Sequence, residues 1–463
     1  MQYKISAIAI NMFSITLVLI LAGCKTIPET PALSDKYRLV WNDDPATNIT
    51  IAWDQHENVN PVVLYGLRDH GRAYWKYDYS QEATRTVRKY EMNTHFARLS
   101  GLKPDQEYYF VIKDDNGVSE RYWFRTAPDK PKAFTFVAGG DTKSDGDPLE
   151  AGRASNRIVA KLRPLFVMFN GDFCSGNGTD PDRWHTWLKD WHELATTPDG
   201  RMIPVFPVHG NHENGDHANL NYIFNSPYQD NDSSRIYYAI SFGGDFFHMI
   251  ALNSEIDEGG AQRDWLENNL KGHQHFRMKI AGYHKPFWPH TSRKSEHEFQ
   301  FRQWAYLFHN YGIDLSLDGD SHMSKITYPL RPDTTDADSF MGFVRDDKEG
   351  TMYIGEGSWG AFPRVNDDDK PWTLQSFSGN QIKWIHALPA NDSLPDRVSI
   401  YTVISATYDE NEKQTLHDAD VESLQEDNLF TIPENIKLVE NGGYGEEISY
   451  PMFLNKSKVL AEQ

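Results

Sequence analysis

Phe134-Thr135-Phe136-Val137-Ala138-Gly139-Gly140-Asp141 is a short apolar run that stops at two glycines and a carboxylate. Five further runs end in the same way. Pro164 to Phe169 leads into Asn170, Gly171 and Asp172, and Ile203 to Val208 leads into His209, Gly210, Asn211, His212 and Glu213. Phe246 to Leu252 stops at Asn253, and Met278 to Ala281 leads into Gly282, Tyr283 and His284. Ile313 to Leu317 leads into Asp318, Gly319, Asp320, Ser321 and His322. Short apolar runs bounded by Gly, Asn and Asp read as buried strands. Ligands of open α/β sheets gather outside the carboxyl ends of strands. Asp, Asn and His delivered there by five of the runs predict one oxygen- and nitrogen-rich site for two hard or borderline metal ions.

Helix signals lie between these runs. Asp264, Trp265, Leu266, Glu267 and Leu270 carry helical spacing closed by Gly272, and Phe299 to Tyr311 is a second amphipathic stretch. Alternating strands and helices argue for a layered α/β domain, here residues 132–410. The chain before it reads differently. Asn48 to Trp53, Val62 to Leu67, Tyr74 to Tyr79, His95 to Leu99, Glu107 to Ile112 and Arg121 to Arg125 are short strand-like runs with turn signals between them. That density predicts an all-β sandwich over residues 37–127. Thr126 to Lys132, with Pro128 and Pro131, reads as the linker. Residues 411–463 are acidic and weakly patterned, a C-terminal extension. A chain of 463 residues is too long for one small core, so two or three domains are expected.

The first residues read as a processing signal. Lys4 precedes an apolar stretch from Ile5 to Leu21, which closes on Leu21-Ala22-Gly23-Cys24. This ending resembles the lipobox of bacterial lipoproteins, which implies removal of residues 1–23 and lipidation of Cys24. Residues 24–36 form a Pro-containing polar tether. The expected location is a bacterial cell envelope, anchored in the membrane by the N-terminal lipid. Cys174 is the other cysteine of the chain. With Cys24 acylated it has no intramolecular partner, so no disulfide framework is expected. The net charge of −20 disfavours nucleic acid and anionic membrane surfaces as partners.

In order, the second domain spells Gly-Asp-Thr-Lys, Gly-Asp-Phe-Cys, Gly-Asn-His-Glu, Gly-Tyr-His-Lys-Pro and Gly-Asp-Ser-His. This series resembles the calcineurin-like metallophosphoesterases, whose fold is two packed mixed sheets flanked by helices. The sandwich before it makes the chain similar to the purple acid phosphatase branch. Leu102-Lys103-Pro104 followed by Tyr108 resembles the corner of fibronectin type III domains. The resemblance implies a dinuclear site holding two divalent or trivalent ions among Fe, Mn, Zn, Mg and Ca. Asp172 would bridge them. Asp141 and His322 would bind the first ion, and Asn211, His284 and Asp320 the second. His212 would contact the phosphate or protonate the leaving oxygen.

Three positions depart from the family pattern. Ser175 stands where the purple branch has a tyrosine, so no charge-transfer colour is expected. Lys143 stands where the common non-purple pattern has a histidine, which leaves the first metal short of a ligand that water, Ser175 or another residue must supply. Asp320 replaces the first histidine of Gly-His-x-His, a variant that resembles the alkaline phosphatase D family and suits Mn²⁺, Mg²⁺ or Ca²⁺. Arg293 and Lys294 fall where the purple branch carries substrate histidines, with His290 and His297 nearby. Together with Lys143 these cations are candidate phosphate contacts. Cys174 reads as a small buried residue, and Trp288, Trp359 and Trp372 as core or pocket lining.

The expected function is hydrolysis of phosphate monoesters by in-line attack of metal-bound hydroxide, for phosphate scavenging at the envelope. A phosphodiesterase of the same fold is one alternative. A non-catalytic surface-binding lipoprotein with a decayed site is the other. The sequence does not indicate an oligomeric state.

Overall fold

The computed structural model describes residues 27, 30–57, 59–143, 148–440 and 452–455. Cys24 and the signal segment lie outside them. All six apolar runs form strands: Phe134–Gly139, Phe166–Asn170, Val205–Val208, Phe247–Ala251, Met278–Gly282 and Leu315–Leu317. Each is buried along its whole length, as continuous apolar strands covered on both faces must be.

The first three lie side by side and parallel. Asn380–Leu388 and Arg397–Tyr408 continue that sheet antiparallel beyond Phe134–Gly139. The other three belong to a second mixed sheet, in the order Tyr238–Phe242, Phe247–Ala251, Met278–Gly282, Leu315–Leu317, Met352–Gly355, Ser324–Thr327, Thr373–Phe377. Aromatic rings fill the space between the two sheets. Phe136 stacks on Phe166 at 5.0 Å, and Phe247 of the second sheet meets Phe134 edge-on at 5.0 Å. Each such ring, fully buried, stabilises the packed layers by about 1.5–3 kcal/mol. Helix Pro181–Leu194 starts with its N-cap Asp180 accepting from the Asp182 N–H and buries Trp184, Trp187 and Trp191.

The N-terminal region is a two-sheet β structure. One sheet runs Tyr79–Glu82, Val62–Gly66, Glu107–Lys113, Tyr122–Arg125. The other, Ser34–Val40, Ile49–Gln55, Met92–Leu99, Arg85–Lys89, joins the first α/β sheet edge to edge, because Val40 pairs in parallel with Val205. The backbone N–H of Lys103 donates to the Tyr108 hydroxyl at 2.9 Å, the hydrogen bond of a tyrosine corner. One local expectation is corrected. Tyr74 to Tyr79 is not a strand: Tyr74–Lys76 is a 3₁₀ turn, and the strand begins at Tyr79. Tyr77 turns inward onto Val111 and Val118, so packing overrides the strand preference of the aromatics.

The C-terminal segment folds back on the α/β layers. Glu426 receives Arg201 at 2.8 Å and Arg163 at 3.0 Å, and Met452–Asn455 pairs with Arg397–Tyr408. Among the described residues no helix is long and apolar enough to cross a membrane.

Candidate metal centre

The loops that follow the strands are tightly turned. Asp141, Asp172, Asp320 and His322 all adopt positive φ, between 53° and 67°. Non-glycine residues rarely accept this conformation, which costs of order 1–3 kcal/mol each and clusters at functional sites. Glycines make room for the side chains. A Cβ on Gly357 would sit 1.9 Å from Asp141 Oδ2, one on Gly210 2.5 Å from Asp172 Oδ1, and one on Gly171 2.7 Å from His284 Nδ1.

The candidate ligands meet. Asp141, Asp172 and His284 are buried, and each offers a ligand atom within 4.8 Å of the other two. His284 Nε2 lies 3.2 Å from Asn211 Oδ1, 3.3 Å from Asp172 Oδ1 and 3.6 Å from Asp320 Oδ1. His284 Nδ1 donates to the carbonyl of Asn170 at 2.8 Å. That bond orients the ring and leaves Nε2 for a metal, as ligating histidines require. The Asn211 amide, two carboxylate oxygens and an imidazole nitrogen thus converge on one point, where the two carboxylates call for positive charge. On the other side, His322 Nε2 is 3.4 Å from Asp141 Oδ1, and the Asp320 N–H donates to both Asp141 oxygens at 3.0 Å. Asp172 borders both groups.

The electrostatics state the same demand. Burial lowers the His284 pKa, but Asp172 and Asp141 outweigh it and push it well above the ordinary value. Burial raises the Asp172 carboxyl, yet His284 and His212 hold it well below the usual carboxylate range. A proton on His284 does the work of a cation here. Lys294 does so as well, its ammonium resting on Asp320 Oδ1. The donor set of carboxylates, one amide and imidazoles fits two hard or borderline ions.

His212 stands at the edge of this group. Its backbone N–H donates to Asp172 Oδ1 at 2.8 Å, its Nδ1 meets Asn177 Oδ1 at 2.6 Å, and its Nε2 faces Asp172 Oδ2 at 3.7 Å. Burial lowers its pKa, with Asp172 opposing and nearby Lys143 assisting. Lys143 itself lines a small pocket with Thr142, Leu149, Arg153 and Asp190. Arg293 is exposed, and its backbone N–H meets Thr291 Oγ1 at 3.5 Å; it is not brought to the ligands as Lys294 is. His290 is fully buried between Glu356 Oε1 at 2.9 Å and Thr373 Oγ1 at 2.8 Å, away from solvent. Ser175 Oγ is buried with no hydrogen-bond partner among the described residues. Cys174 is buried in the main core, and Trp288, Trp359 and Trp372 are core residues.

Several supporting residues were given no role by the sequence. Glu213 Oε2 accepts the N–H groups of Asp172 and Gly210 at 2.9 Å, and Oε1 that of Phe173 at 3.1 Å. Burial and the Asp172 charge raise its pKa, while the N–H groups of Asp172 and Gly210 oppose them and favour the carboxylate they bind. Behind the Asp320 loop, Lys325 bridges Asp318 at 2.8 Å and Glu356 at 3.0 Å. Arg364 donates to the Asp320 carbonyl at 2.8 Å. Glu213 was visible as the last letter of Gly-Asn-His-Glu, whereas Arg364 sits in no motif.

The description "Purple acid Phosphatase, N-terminal domain" matches residues 34–126, and "Calcineurin-like phosphoesterase" matches residues 123–324. Residues 123–324 are therefore similar to a calcineurin-like phosphoesterase domain. Its N-terminal β region is that of the purple acid phosphatase arrangement. An uncharacterized protein of Mycobacterium tuberculosis strain H37Rv is 26% identical over 342 residues, 63% of this chain. The chain spans 62% of that relative's length. Probable purple acid phosphatase 20 of Arabidopsis thaliana is 25% identical over 330 residues, 67% of this chain and 70% of that one. In fold, the chain is similar to the purple acid phosphatase PPD1 from yellow lupin seeds, with TM-score 0.64 and 16% identity over 83% of this chain and 74% of that one. It is also similar to the solved PhoD, with TM-score 0.61 and 11% identity over 84% and 90%.

Proposed function

We propose that this phosphoesterase is an exported two-metal enzyme that hydrolyses phosphate monoesters. The observation that carries the reading is the meeting of the Asn211, Asp172, His284 and Asp320 side chains around one point, with Asp141 and His322 beside them. Asp141, Asp172 and His322 would hold the first ion, and Asp172, Asn211, His284 and Asp320 the second. When bound, two such ions polarise a phosphoryl group and acidify water.

The chain's own residues supply the rest. The Asn170 carbonyl holds His284 in the ligating tautomer. Asn177 takes the Nδ1 proton of His212, so Nε2 is the atom free to exchange a proton with the leaving oxygen. Lys294, whose ammonium rests on the Asp320 carboxylate, would stand beside a phosphate held at this site and add positive charge to it. Added positive charge beside the ions favours a dianionic monoester over a monoanionic diester. The convergence of six candidate ligands counts against a decayed, purely binding role.

The test is a paired assay of an aryl phosphate monoester and a diester of the same aryl alcohol, after loading with Mn²⁺. The monoester should be turned over faster. A faster diester would overturn the monoester reading, and no turnover of either would overturn the enzyme reading.

Export and anchoring through Cys24, with phosphate scavenging at a bacterial envelope as the role, rest on the Leu-Ala-Gly-Cys ending. Cys24→Ser should shift the protein from the membrane fraction to the soluble one. An unchanged distribution would contradict the anchor.

A further inference from the structure

Arg364 belongs to a segment fixed against the candidate centre by backbone bonds. The Trp359 N–H donates to Gly140 O at 2.8 Å, and those of Gly360 and Ala361 to Asp141 O at 3.0 and 2.8 Å. The Arg364 N–H donates to His322 O at 2.8 Å. The segment thus crosses from one candidate ligand of the first ion to the other. From that fixed backbone the Arg364 side chain reaches back, and Nη1 donates to the Asp320 carbonyl at 2.8 Å. Lys294 meets the same residue at its carboxylate. Two cations therefore flank Asp320, on loops that the ligand strands hold in place.

Arg364 uses few of its donors within the protein. A guanidinium carries five N–H donors in a planar fork. Two buried arginines elsewhere in the chain bind carboxylates and backbone carbonyls with that fork. Arg163 binds Asp199 and Glu426, and Arg201 binds Glu426 and two backbone carbonyls. Arg364 meets one carbonyl, and among the described residues its guanidinium has no carboxylate partner. The residue is half-buried, and its remaining donors have no other protein partner among the described residues. A fork held in this way is suited to two oxygens of one phosphoryl group.

We infer that Arg364 is a phosphate-binding residue of this site, which grips the phosphoryl oxygens by its open fork and, with Lys294, makes the site selective for doubly charged phosphate monoesters. The inference rests on the two-metal reading above.

The test uses the full chain loaded with Mn²⁺ and inorganic phosphate as the probe. Phosphate affinity is measured by calorimetry and metal content by elemental analysis, for wild type, Arg364→Met and Arg364→Lys. Arg364→Met should weaken phosphate binding by roughly 10- to 100-fold, the loss expected for charge-assisted hydrogen bonds. Its metal content should stay that of the wild type. KM should rise more for an aryl monoester than for the diester of the same alcohol. Arg364→Lys, which keeps the charge but not the fork, should recover part of the phosphate affinity. If Arg364→Met does not fold, Arg364→Lys carries the test with an expected loss of roughly threefold to tenfold. Phosphate affinity unchanged in either variant would overturn the assignment. So would loss of a metal in Arg364→Met, since Arg364 would then be a prop for the Asp320 backbone. A wild type that takes up no metal would overturn the two-metal reading instead.

Discussion

The carboxylate of Glu213 accepts the backbone N–H of Asp172 at 2.9 Å. Asp172 holds a left-handed backbone with φ of 53°, and this bond helps keep it there. The same carboxylate takes the N–H groups of Gly210 and Phe173, so it ties the Asp172 loop to the Asn211 loop. Two strand ends that each deliver a candidate ligand are thereby locked at one distance.

Glu213→Gln should loosen that lock. A glutamine has one acceptor oxygen and places an NH₂ against at least one of the three N–H donors. A buried donor left without a partner costs about 1–3 kcal/mol. Metal affinity should fall roughly 10- to 100-fold, the usual loss for a residue that orients a ligand. Metal titration of the purified variant measures this. Wild-type affinity with wild-type thermal stability would show that Glu213 does not set the loop geometry.

Buried histidines away from the centre set an acid limit on stability. Burial pushes His248 down to about 3 and His386 down to about 4, from an ordinary value of 6.5. Both are neutral when folded and take up protons more readily when unfolded. The unfolded state therefore binds more protons as pH falls below 6.5. The stability these groups contribute is fully present above 6.5 and is lost as pH drops towards their folded values. Between pH 6 and 4.5 each should add about 1 kcal/mol per pH unit to the slope of unfolding free energy. Chemical denaturation across that window measures the slope, and His386→Phe should reduce it by one histidine's share. An unchanged slope in that variant would place His386 in solvent contact.

Much of the fold was legible because local chemistry repeats. Continuous apolar runs ending in Gly, Asn and Asp need burial on both faces and a sharp exit, and all six became strands. The Lys103–Tyr108 hydrogen bond was legible for the same reason, since five residues of spacing fix the corner. The union of the N-terminal sheet with the α/β sheet was not. Val40 and Val205 are far apart in sequence, and nothing local in either marks the pairing. The candidate ligands were legible as motifs, but their surroundings were not. His290 and Lys294 lie four residues apart in one basic stretch, yet one is buried against Glu356 and the other reaches Asp320. Spacing in a loop does not say which side chain turns inward. Arg364 reaches the centre through the course of its backbone, which carries no periodic signal.

The central claim is that Asp172 is shared by two metal ions while His212 serves the substrate. The most direct test compares Asp172→Asn and His212→Ala for metal content and turnover under the same conditions. Asp172→Asn should lose at least one ion and slow turnover by roughly 10³ or more, about 4 kcal/mol in barrier. His212→Ala should keep the wild-type metal content and slow turnover by roughly 10²–10⁴, as for a proton donor. An Asp172→Asn protein with full metal content and near-normal turnover, beside a His212→Ala protein that has lost metal, would contradict the assignment.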